Sequence, residues 1–115
     1  MATSLSPSKA TREINKLARD PLCDLSKSPH AEDRLEERTI LTSDLLCLLR
    51  KGFIYELAEA STQKNLWKYK IEGVTPNSNR RTITAIIIPD FKTKHIKIVT
   101  CYWKDEHCYK KFMAQ

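Results

Sequence analysis

His30, Arg34 and Arg38 stand four residues apart in a segment that runs from Pro29 to Arg38. On a helix each four-residue step turns the side chain by only about 40°, so the three form one stripe. A guanidinium offers a fixed fork of donors that matches phosphate oxygens, and an imidazole changes charge near neutral pH. The stripe therefore predicts a phosphate-gripping surface with a proton-transfer group at one end.

On the last predicted strand, alternation puts Ile96, Ile98, Thr100 and Tyr102 on one face. If helices cover that face, its apolar end is core and Thr100 and Tyr102 emerge at the margin, beneath the stripe. Such a set suits metal-independent RNA cleavage, in which the 2′-hydroxyl attacks its own phosphate. The reaction needs a base at that hydroxyl, cations at the non-bridging oxygens and a proton donor at the leaving oxygen. His30 is assigned as general base or acid, and Arg34 and Arg38 as the phosphate clamp. Thr100 and Tyr102 are assigned as positioning groups or proton donors. Lys68, Arg81 and Lys97 are candidates for contacts to an RNA backbone, and Trp103 for stacking on a base.

A plainer reading competes with this one. Each arginine has a glutamate within four residues, so the stripe is equally a solvated helix face held by ion pairs. Thr100 and Tyr102 are ordinary strand formers, and Trp67 reads as core. A metal site is not expected: Asp33, Glu36 and Glu37 spread over different helix faces, and Cys101, His107 and Cys108 match no zinc spacing. Two glycines cannot build a glycine-rich phosphate loop, and no Ser or Cys nucleophile has a visible base partner. No cofactor is expected.

The chain has 115 residues, enough for one domain with a modest core. Its net charge of +6 points to a polyanionic partner, RNA or DNA ahead of a membrane surface. No segment approaches the roughly 18 apolar residues that span a bilayer, and no secretory signal pattern opens the chain. The protein is accordingly expected in the cytoplasm. The four cysteines form no CxxC pair, and Cys47 and Cys101 read as small hydrophobes.

The elements that must carry these residues follow from periodicity and punctuation. Ser6-Pro7 opens a helix that runs to about Arg19 and stops at Asp20-Pro21. Residues 20–28 read as a loop. A second helix spans about residues 29–38 with a thin apolar side, Ala31 and Leu35. Thr42 or Ser43 caps a third helix, which Gly52 ends in a left-handed stop. Strands are expected at 53–58, 66–72, 81–88 and 95–103, with 104–115 as a short helix or tail. The fold class is α+β: N-terminal helices packed on one face of a twisted antiparallel sheet of about four strands.

The runs SPHAEDRLEERTILTSDLLCLLRKG and HIKIVTCYW resemble a bacterial family, domain of unknown function 4258, over about residues 28–104. That family looks like a branch of the RelE/barnase/colicin-type toxin ribonucleases. The resemblance implies a sheet-plus-helices fold and RNA cleavage to a 2′,3′-cyclic phosphate without a metal. It also implies a cognate antitoxin or immunity protein as partner. Matched position by position, it favours His30, Arg34, Arg38, Thr100 and Tyr102 as the site. It leaves residues 1–27 as an extension with a short helix and 28–115 as the toxin-like domain. A non-catalytic nucleic-acid-binding or regulatory module of the same fold is the alternative.

Overall fold

Ser6 and Pro7 start the first helix as their types dictate. The Ser6 hydroxyl accepts the Lys9 N–H, and Pro7 takes the first helical position of α1 (Pro7–Arg19). The computed structural model describes residues 4–61, 63 and 65–105. The elements that follow are β1 (Asp24–Lys27), α2 (Pro29–Glu37), α3 (Thr42–Lys51), β2 (Phe53–Ile54), β3 (Glu59–Ala60), β4 (Trp67–Val74), β5 (Thr82–Asp90) and β6 (His95–Trp103). The class is α+β, with three helices and one mixed sheet among the described residues.

The strand order is β1-β6-β5-β4-β2, and β3 pairs with the same β4. The expected four-stranded antiparallel sheet is therefore too simple. Residues 24–27, expected as loop, add a parallel strand to the edge of β6, with Asp24 N–H bonded to Lys94 O. Of the strand expected at 53–58 only Phe53–Ile54 forms, with Phe53 paired to Glu72, and a second short strand beyond that span pairs Glu59 with Lys68. β4 and β6 keep close to their expected spans because alternation there is strong, and β5 because its run ending Ile86-Ile87-Ile88 is continuously apolar.

One face of the sheet carries the core. Tyr69 and Ile71 of β4, Ile83, Ala85 and Ile87 of β5, and Ile96 and Ile98 of β6 pack with Leu45, Leu48 and Leu49 of α3. α1 belongs to this core: Ala10, Ile14, Leu17 and Ala18 are buried, so the N-terminal segment is an integral layer of the fold. Side-chain bonds fasten it there. Thr11 Oγ1 accepts the Ile54 N–H, Asn15 donates to Leu49 O, and Arg19 and Arg50 donate to the carbonyls of Arg50 and Ala18 respectively.

Two punctuation marks work differently from expectation. α3 starts after Leu41 with no side-chain cap, so neither Thr42 nor Ser43 serves as one. Gly52 is extended, not left-handed. Its glycine is required by close approach: a Cβ there would lie 2.5 Å from Leu48 O and 2.9 Å from Ile71 Cγ1. The expected C-terminal helix lies almost wholly outside the described residues.

β6 carries an irregularity that decides the placement of the site. Ile86 pairs with Thr100 but Ile87 pairs with Ile98, so Val99 is an extra residue, a β-bulge. Ser28 holds it. The Ser28 N–H donates to Ile98 O, and the Ser28 hydroxyl donates to Val99 O at 2.7 Å while accepting the Ala31 N–H at 3.0 Å. One side chain thus caps α2 and satisfies the bulged carbonyl. Replacing Ser28 by Ala removes both bonds and is expected to lower unfolding free energy by about 1–3 kcal/mol. Denaturant unfolding of the variant beside the parent measures this.

Candidate phosphate-binding site

The bulge divides the residues expected to form one site. Before it, Ile96 and Ile98 face the helices; after it, Cys101 and Trp103 do. Thr100 and Tyr102 are turned to the opposite face, where they stand in register with Ile86 and Thr84. The expected alignment of Ile96, Ile98, Thr100 and Tyr102 on one face is overturned, because an inserted residue flips every side chain after it.

The helix-side group is an arginine corner. His30 is exposed near the start of α2 and makes no hydrogen bond or ion pair among the described residues. One turn on, Arg34 Nη1 lies 2.6 Å from Glu37 Oε2, and Arg38 Nη1 lies 3.3 Å from the same oxygen. The Arg38 side chain is only 12% exposed, against 33% for Arg34. Both arginine charges are felt by Cys101 beneath them. Burial pushes that thiol from its usual 9.0 to about 11, and Arg38 and then Arg34 pull the other way.

Trp103 and Arg81 complete this corner. The Trp103 indole N–H donates to Arg38 O, and the Arg81 guanidinium lies 4.3 Å from the ring centroid. Arg81 also makes a two-point contact with Asp105, at 2.7 and 3.0 Å. Trp103 is buried under these groups, which removes it as an exposed platform for stacking a base. Arg81 is brought beside the corner, as a charge already held by a carboxylate.

The opposite face of the sheet gathers the others. Lys68 and Lys70 of β4, Ile86 of β5, and Lys97, Thr100 and Tyr102 of β6 lie on it. Lys70 is pushed up chiefly by its hydrogen bond to Glu56, and Tyr102 is among the groups acting on it. Lys68 faces Glu59 at 3.9 Å. Arg34 and Arg38 are thus brought together on Glu37, with Arg81 beside Arg38 across Trp103. His30 shares their helix, a turn before Arg34, and Lys68, Lys97, Thr100 and Tyr102 are placed on the other side of the sheet.

The plainer reading of the stripe expected ion pairs to nearby glutamates, and Glu37, three residues after Arg34, pairs with both arginines. What sequence reasoning overlooked is a role for Glu37 in the site. It overlooked Thr39 as well. α2 ends with Thr39 N–H on Glu36 O and Ile40 N–H on Leu35 O, a Schellman arrangement. Thr39 sits in it at φ 55°, where glycine is usual. This strained residue directly follows Arg38 and fixes where the helix lets it go.

The chain belongs to the family described as domain of unknown function DUF4258, whose model matches residues 28–103. The matched span holds α2, the bulge and the arginine corner, and α1 and β1 lie outside it. No curated protein and no solved structure matches the chain.

Two outcomes follow. Thr39→Gly is expected to raise unfolding free energy by about 1 kcal/mol, as left-handed strain is relieved; thermal or denaturant melts read it. Cys101 is expected to resist alkylation at pH 8.5 in the folded protein and to react once unfolded, as peptide mass spectrometry would show. Because its folded pKa is raised, the stability linked to that thiol is complete below pH 9 and is lost as pH climbs toward 11.

Proposed function

We propose that this protein is a metal-independent endoribonuclease working at the arginine corner. The observation that carries the reading is the convergence of Arg34 and Arg38 on one carboxylate oxygen, on the helix stripe that also bears His30. Two guanidiniums that can share an oxygen of Glu37 can share a non-bridging oxygen of a phosphate. The cations would offset charge that grows on the phosphorus oxygens in the transition state.

The bond from the 2′-oxygen to phosphorus forms as the bond from phosphorus to the 5′-oxygen breaks. A base takes the 2′-hydroxyl proton, and an acid gives one to the leaving 5′-oxygen. His30 is one of these groups. Glu37, beside both arginines, is the group placed to be the other; Thr100 and Tyr102 are not, because the sheet stands between. The products are a 2′,3′-cyclic phosphate and a 5′-hydroxyl.

The kinship with RelE/barnase-type toxins belongs to this proposal. So does a cytoplasmic setting, with an acidic antitoxin or immunity protein that covers the corner. A second reading, RNA binding without cleavage, is favoured by Glu37 itself, which is held by both arginines and offsets one of their two charges.

The test is incubation of the purified protein with a mixed-sequence RNA in EDTA, with the fragment ends identified. The proposal expects 2′,3′-cyclic phosphate ends, a rate at least about 100-fold lower for His30→Ala, and RNA affinity little changed in that variant. Bound but intact RNA with the parent protein would overturn cleavage and leave the second reading.

A further inference from the structure

The largest concentration of cations with no ion-pair partner among the described residues lies outside the family match. On α1, Lys9, Arg12, Lys16 and Arg19 are all exposed. At about 100° per residue they occupy one arc of the helix, directly opposite the arc of Ala10, Ile14, Leu17 and Ala18 that enters the core. Glu13, at the margin of the arc, is the one acidic residue within the helix. A helix face that merely needs solvation mixes both signs; this one does not.

α3 extends the ridge. Its C-terminal Arg50 and Lys51 are exposed, and the Arg19 and Arg50 side chains bond across to the partner helix's carbonyls, which fixes the two helix ends side by side. None of these six cations forms an ion pair among the described residues. By contrast, Arg34, Lys68, Lys70 and Arg81 each face a carboxylate.

We infer that the α1–α3 ridge is a docking surface for the phosphate backbone of single-stranded RNA, separate from the arginine corner. From Lys9 to Arg19 it runs about 15 Å, long enough to follow several phosphates of one strand. An anionic membrane surface is the competing polyanion. The apolar side of α1 is consumed by the core, so the helix has nothing to insert into a bilayer, which favours the nucleic acid. The ridge shares its ligand with the proposed function but not its chemistry, and it serves a protein that binds RNA without cutting it equally well.

The experiment compares the parent with Lys9→Gln/Arg12→Gln/Lys16→Gln, three exposed positions away from the corner. Binding of a single-stranded RNA of mixed sequence is measured by fluorescence anisotropy across a salt series, with a thermal melt to verify folding. The ridge predicts a slope of log affinity against log salt that is shallower by about 2, and affinity at low salt at least tenfold weaker. Cleavage at saturating RNA stays near the parent's. An unchanged slope and affinity overturn the inference. So does parent protein that binds phosphatidylserine-containing vesicles and not RNA. The predicted difference in slope with RNA left intact by the parent defeats the nuclease reading alone.

Discussion

One hydroxyl organises the end of this molecule that carries the arginine corner. Ser28 gives its proton to the carbonyl of Val99 and accepts the N–H of Ala31, while its own N–H closes the β1–β6 pairing at Ile98. A bulged carbonyl and a helix N-terminus both leave backbone groups in need of partners. Here each answers part of the other's need through one side chain. α2 is therefore anchored at the point where β6 changes phase, and its arginines are delivered over the residues that follow.

The change of phase then determines which chemistry can assemble. It brings Cys101 and Trp103 under Arg38 and sends Thr100 and Tyr102 to the face that carries Lys68, Lys70 and Lys97. A sheet is an impermeable partition for side chains of this size, because neighbouring strands are bonded about 4.8 Å apart. Groups on its two faces cannot touch one phosphate. The strained Thr39 at the far end of α2 and the stacked Arg81–Trp103–Asp105 set close the corner from the other sides.

Much of the fold was legible because it rests on periodicity. The span of α1, the thin Ala31–Leu35 side of α2, and the strands β4, β5 and β6 all sit close to where their residues put them. What escaped has no periodic mark. β1 is a four-residue parallel edge whose pairing depends on a partner seventy residues away. The bulge at Val99 lies between ordinary strand formers, so nothing local announces it. Gly52 carries the glycine that a left-handed stop would use, yet it is there for contact with Leu48 and Ile71. Of the site, the helical stripe was readable from spacing alone. Its relation to Thr100 and Tyr102 was not, since one inserted residue reverses it.

The central claim is that the arginine corner, and not the Thr100–Tyr102 face, meets the phosphate. The most direct measurement is an NMR titration of labelled protein with a short 2′-O-methyl RNA, which binds but cannot be cleaved. The account predicts that the His30 ring and the Arg34 and Arg38 side-chain resonances shift in step with binding, while Thr100 and Tyr102 stay where they are. Shifts centred on Thr100, Tyr102 and Lys70, with the α2 arginines unmoved, would contradict it.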